Sequence, residues 1–493
     1  MFKFNQRKSF HLFGKILIAF LFIAGLSGCG TSVVNNTPTL SPTQGLLEPT
    51  QTPIPAPPLV KSRGYLTTPQ ELALIASKAN QGLDPYHNAV AVVIQWAEKE
   101  WNYEINAYET CATANEPRWS DNGGGIPILY AKALAYPLTG DTRYAEEVKN
   151  ILERVMTEAK SISSKSQQCI LNFGWSTPEL VASADLIEEY WRNKDCTGPI
   201  STRHSDSRID YGNCKILFQN WLVKNPYYVV SYAATSSKSN AGAAATNATA
   251  YIADYLWDRP DVLLVHRNPP QVNDGQILKF TPSEAYAYAN QLALDRMNGY
   301  GVEYGSSFSC DVLHGEQQSS QWAPVKSQIS QTGIIPEDAR RQEYCNISIY
   351  NGEYQNYPQI HLGNNIQQCE LMLRRGDSSC YDNVDISDIP NYTFVGPDGK
   401  PKTTHLYPGR GSIERAIKAI IIDSSTEWQH DSALEVAFRY YYLNHTLPGF
   451  ELWATQLSRQ TDNCGQDVCF GTLTHGFSIE EELPSLPPTV TPP

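Results

Sequence analysis

Several side chains in this chain have types and spacings that could handle protons or anions. The stretch SKSNAGAAATNATAYIADYL (Ser237–Leu256) sets Asn240 at the entrance of a helix made almost wholly of Ala, Gly and Thr. Asn is a favoured helix N-cap, and its amide can equally donate to an anion. IIPEDARRQEY (Ile334–Tyr344) carries the adjacent Arg340 and Arg341. A guanidinium fork matches a carboxylate, although most arginines end in surface ion pairs. His204, His266, His314, His361 and His405 could exchange a proton near neutral pH. Of these, His314 in DVLHGEQQ lies just upstream of the arginine pair. Asp121, Glu179, Asp185, Glu316 and Glu337 could supply the two carboxyl groups that hydrolysis of a glycosidic bond requires. No CxxC or Cys/His spacing suggests a metal site.

Those residues need elements to hold them, and the strongest periodicity is helical. In DTRYAEEVKNILERVMTEAKSI, Tyr144, Val148, Ile151, Leu152, Val155 and Met156 share one face, with charges opposite. Thr68-Pro69-Gln70-Glu71, Thr177-Pro178-Glu179 and Thr281-Pro282-Ser283-Glu284 each place a capping Thr before a Pro at the first helical position. The first and third add the Glu of a capping box. Further helices are expected at 85–100, 126–137, 179–191, 241–256, 283–297, 359–375, 412–422 and 432–443. Strand signals are scarce, and 257–279 and 301–340 read as long polar loops. The expected class is all-α, an (α/α) toroid or incomplete barrel of helical hairpins. Small side chains let a backbone or a ligand approach closely, so the Ala/Gly/Thr helix reads either as a packing device or as a cleft wall.

The ends of the chain have another character. Lys3, Arg7, Lys8 and Lys15 precede an apolar run, Ile16–Leu26, and Leu26-Ser27-Gly28-Cys29 resembles a bacterial lipobox. Residues 1–29 therefore read as a lipoprotein signal peptide with Cys29 as the lipidated residue, anchoring the protein to a membrane face of the cell envelope. Residues 30–62 form a Pro/Thr-rich tether and 483–493 a Pro-rich tail, leaving 63–482 as one folded domain. Ten cysteines besides Cys29 point to disulfides in an exported chain, with Cys369–Cys380 and Cys464–Cys469 as local pairs. A formal net charge of −13 argues against a nucleic-acid partner.

Ordered stretches resemble the alginate-lyase-type domain of polysaccharide lyases. They are DNGGGIPILYAKALAYPLTGDTRYAEEVKNIL, GWSTPELVASADLIEEY, SKSNAGAAATNATAYIADYL, IIPEDARRQEY, HLGNNIQQCELMLRRGDSSCYD and GRGSIERAIKAII. Together they span most of the chain between the tether and the tail. The resemblance implies a monomeric (α/α) toroid that cleaves a uronic-acid polysaccharide by β-elimination without metal or organic cofactor. It assigns the sugar carboxylate to Asn240 and to Arg341 or Arg340, and proton transfers to Tyr350 or Tyr357 and His314. Lys238, Trp175 and Trp322 join as substrate-binding candidates, the tryptophans as platforms for sugar rings. Family members often place His directly after this Asn, whereas this chain has Ala241. A glycoside hydrolase on the same toroid and a non-catalytic glycan-binding protein are the rival readings.

Overall fold

The computed structural model describes residues 64–105, 124–159, 167–200, 208–237, 239–268, 275–298, 356–382, 392–395, 401–404, 413–418, 431–443 and 467–477. The chain separates into Met1–Pro53 and Ile54–Pro493, and every described residue belongs to the second unit. The signal peptide, tether and tail expected at the ends lie outside the described residues.

The described residues are mostly helical, as expected. The helices are α1 (Pro69–Asn80), α2 (Tyr86–Ala97), α3 (Gly125–Thr139), α4 (Thr142–Glu158), α5 (Gln167–Leu186), α6 (Glu188–Trp191), α7 (Cys214–Lys224), α8 (Pro226–Ser236), α9 (Ser239–Tyr255) and α10 (Pro282–Asn298). They continue with α11 (Asn356–Arg374), α12 (Ile413–Lys418), α13 (Asp431–Leu443) and α14 (Gly471–His475). Capping residues act locally, so they were readable in advance. Thr68 and Glu71 exchange side-chain and backbone hydrogen bonds at the start of α1, and Thr281 and Glu284 do the same ahead of α10. All six apolar residues expected on one face of α4 are buried.

Helix-on-helix contacts close into a ring, from α3 to α5, α9, α11, α13, α14, α2 and back to α3. This closed ring is the toroid. α9 is its most enclosed member, packed by α5, α8, α10 and α11. From Asn240 to Leu256 it is buried on every side. Gly174 of α5 shows why small residues pave it: a Cβ there would stand 2.9 Å from the Cβ of Ala244 and 3.2 Å from the backbone nitrogen of Ala245. The composition of α9 therefore serves close helix packing.

Two expectations need correction. Thr177-Pro178-Glu179 does not start a helix; α5 runs through it from Gln167. Pro178 forfeits one backbone hydrogen bond, but α5 packs against both α3 and α9, and this burial outweighs the local stop signal. Thr177 Oγ1 turns inward to donate to Phe173 O at 2.6 Å instead of capping. One stretch expected as a loop, 257–279, holds strands, and two further hairpins were not anticipated. Leu264–Arg267 (β3) pairs with Ile277–Phe280 (β4) inside 257–279. Asp195–Ile200 (β1) pairs with Arg208–Asn213 (β2), and Tyr392–Val395 (β5) with Pro401–Thr404 (β6). Each strand is four to six residues long and gains its partner from the neighbouring arm of a hairpin, so no amphipathic alternation announces it.

Cys369–Cys380 is a disulfide as expected, and Cys196–Cys214, not anticipated, clips the β1–β2 hairpin to α7. Cys469 is disulfide-bonded too, and its expected partner Cys464 lies outside the described residues. No helix among the described residues is long and apolar enough to cross a membrane. At the end of α11, Arg374 reaches Glu71 of α1 at 3.1 Å and Glu370 at 2.8 Å, and His475 Nε2 of α14 lies 3.1 Å from Glu370. This polar set, buried apart from Glu71, joins elements far apart in sequence.

Candidate functional site

The elements that bear the candidate residues meet around one small apolar cluster. Trp175 of α5, Ala244 of α9 and Ile360 of α11 pack together, with Leu171 and Tyr357 against them. Asn240 stands one helical turn before Ala244 and so shares its face. Beyond the cluster, away from the helix starts, Asn247 Nδ2 of α9 donates to Gln367 Oε1 of α11 at 2.7 Å. Gln367 Nε2 in turn donates to Glu179 Oε1 of α5 at 2.8 Å. Early residues meet early residues and later ones meet later ones, so the three helices run in the same direction. The N-terminal turns of α9 and α11, each carrying free amide N–H groups and partial positive charge, lie at the end that bears Asn240 and Tyr357, whereas Trp175 sits more than two turns inside α5.

Two of the candidates named from sequence, Trp175 and Tyr357, are thus brought together, and Asn240 lies one helical turn before the Ala244 of the same cluster. Asn240 is buried at 2% exposure, Trp175 is buried, and Tyr357 is half-buried. Asn240 is not the N-cap that the sequence suggested. Only Ser237 and Lys238 separate α8 from α9, so the new helix begins at Ser239 and Asn240 falls inside its first turn. Trp175 Nε1 is buried and finds no hydrogen-bond partner among the described residues. An unpaired buried N–H costs about 1–3 kcal/mol, so this donor suits a ligand acceptor better than a purely apolar wall. Lys238, His314, Trp322, Arg340, Arg341, Tyr350 and Cys29 lie outside the described residues, as do His204 and His405.

Other groups raised by the sequence have structural positions. Glu179, a candidate carboxylate for hydrolysis, is fully buried beneath the cluster. Burial, with Asp467 nearby, holds its carboxyl well above the ordinary range, so it is a neutral strut between helices. His266 sits on β3 with its ring edge-on to Tyr288 at 5.0 Å and near Phe280 at 6.0 Å. Burial pushes it down to about 4, leaving an uncharged core ring at neutral pH. His361 lies on α11 one turn after Tyr357 and is buried.

Sequence reading missed Gln367, Asn247 and Arg296. Arg296, near the end of α10, is 1% exposed. Its Nη2 donates to Ala234 O at the end of α8 and to Ser237 O at 3.1 Å. The available signal was Gly242, a glycine in a helix where alanine otherwise serves. Gln368 Nε2 donates to Asn290 Oδ1 at 2.9 Å and binds α11 to α10. Among the described residues, no group of His, Cys, Asp and Glu side chains could hold a metal ion.

No family model and no curated protein matches the sequence. Among solved structures, the chain is similar to alginate lyase A1-III from Sphingomonas species A1. That match has a TM-score of 0.43 and 11% identity, covering 83% of this chain and 97% of the other. A histidine-to-alanine variant of alginate lyase A1-III complexed with a tetrasaccharide is similar at a TM-score of 0.40 and 12% identity, covering 85% and 98%.

Proposed function

We propose that the protein is a polysaccharide lyase acting on a uronic-acid-containing, alginate-like polymer. The observation that carries this reading is the packing of Trp175, with its unpartnered buried indole N–H, and Tyr357 beside the first turns of α9 and α11, with Asn240 in the first turn of α9. Helix N-termini favour anions, and a uronate carboxylate is the anion such an enzyme must neutralise. The proton at C5 is weakly acidic because the adjacent carboxylate is already negative. Donors on that carboxylate stabilise the enolate-like intermediate formed when a base removes the proton. The electron pair from the C5–H bond becomes the C4=C5 double bond, the C4–O bond breaks, and an acid protonates the departing oxygen.

In this reading Asn240 and the Trp175 indole N–H hold the carboxylate, and Tyr357 serves the proton transfers at the half-buried mouth of the cluster. Arg341 or Arg340 adds positive charge, and His314 and Tyr350 remain candidates from the same resemblance. Lys238 and Trp322 remain substrate-binding candidates. An export route ending in a lipid on Cys29 would bring the enzyme to polymer outside the cell, where its disulfides are stable.

The test is the ultraviolet absorbance of the unsaturated uronate product as the protein meets a panel of uronic-acid polymers. We expect a rise on at least one polymer, reduced about 100-fold or more in Asn240→Ala and Tyr357→Phe variants, the scale of losing one preorganised donor. New reducing ends without absorbance would replace the lyase by a hydrolase. Glycan binding with neither signal would identify a non-catalytic binding protein.

A further inference from the structure

We infer that Arg296, seated against Gly242, is a positioning residue that sets the anion-binding end of α9 and biases it toward carboxylated sugars. The inference rests on the lyase reading but concerns a residue outside the cluster. α8 ends and α9 begins within two residues, so terminal carbonyls of one helix lie beside the first amides of the next. The guanidinium of Arg296 occupies this junction. Its Nη2 donates to Ala234 O and Ser237 O, acceptors that the end of α8 leaves without helical partners. On its other side lies Gly242. A Cβ on Gly242 would overlap Arg296 Nη1 and Ser237 O and come within 2.7 Å of Arg296 Cζ. Glycine is required there because the guanidinium takes the space a side chain would fill.

Two consequences follow for Asn240, two residues before Gly242. The wedge packs Ser237 O and Gly242 against one guanidinium, and so sets the direction in which the first turn of α9 presents its amides. It also sets a cation, buried at 1% exposure, behind those amides. A buried charge is screened less than one at the surface, so it adds to the helix-end potential felt by an anion. Arg296 does not touch the sugar; it acts through the turn and through its charge. Its effect should therefore depend on whether the ligand carries carboxylates.

The test compares binding of two ligands to the full chain: an oligouronate, and the same oligomer with its carboxyl groups reduced to alcohols. The unaltered protein should prefer the oligouronate. In Arg296→Gln we expect affinity for the oligouronate to fall about tenfold while affinity for the reduced oligomer changes less than about twofold. Arg296→Lys, which keeps the charge, should retain most of the preference. Equal losses for both ligands in Arg296→Gln, or no loss for either, would overturn the inference. So would loss of the preference in Arg296→Lys with its thermal unfolding unchanged. These results leave the lyase reading standing if the unaltered protein still releases unsaturated product. Binding of neither oligomer by the unaltered protein would overturn both.

Discussion

Ala241 directly follows Asn240, and the fold leaves no room there for a histidine. The residue is 1% exposed on a helix enclosed by four others. An imidazole there would have to displace packed neighbours, at about 1–3 kcal/mol for overpacking. Ala241→His should therefore lower stability to urea by that amount and bring no gain in product formation, which unfolding curves and the absorbance assay would both register. On the lyase reading, proton abstraction passes to Tyr357 or to a histidine from another element. One residue away from Ala241, Asn240 is buried in the first turn of α9, one turn before Ala244 of the apolar cluster.

At the scale of elements, α5, α9 and α11 behave as one unit because Glu179, Gln367 and Asn247 tie them together. The Gln367 amide donates to a carboxyl that burial holds in its neutral form. Burial raises the Glu179 value in the folded protein above its ordinary 4.5. Stability from this group is therefore full below that value and is lost as pH rises toward the folded value. A glutamine carries no such proton. Glu179→Gln should gain stability relative to the unaltered protein as pH rises from about 5 to about 7, by up to about 1.4 kcal/mol per unit. Urea midpoints across that range would show it, and a difference independent of pH would mean that the carboxyl is already charged. The same three helices carry the candidate site, and their shared direction brings the first turns of α9 and α11 to it.

At the scale of the whole molecule, the start of the folded region is fastened to its centre. Arg375, just beyond α11, forms a two-pronged ion pair with Asp254 near the end of α9, at 2.7 and 2.6 Å. Its Nη1 also donates to Gly64 O at 2.8 Å, and Tyr65 stacks on Tyr251 at 5.0 Å. Both charged side chains are nearly buried. Asp254→Asn would leave the guanidinium buried without its carboxylate, at about 3–5 kcal/mol. We expect thermal unfolding to move down by several degrees while the helical circular dichroism of the folded state is kept. An unchanged transition would show that the clasp adds nothing to the ring.

The sequence by itself determined whatever is decided within a turn or two of chain. The capping boxes at Thr68 and Thr281, the apolar stripe of α4, the all-α class and the short disulfide loop from Cys369 to Cys380 all belong here. Each depends on neighbours within eleven residues or fewer, and local energetics suffices. Asn240, Trp175 and Tyr357 were legible as candidates, but the packing of Trp175 and Tyr357 around Ala244 was not, since it requires three helices to meet. Tertiary structure alone decided that Pro178 lies inside a helix and that α9, with no polar face to orient it, is buried all round. It also decided that Gln367 bonds Glu179 across 188 positions and that Arg296 reaches Ser237 across 59. Such contacts form when buried polar groups must find partners wherever the packing brings them, and no local pattern of residues encodes that choice.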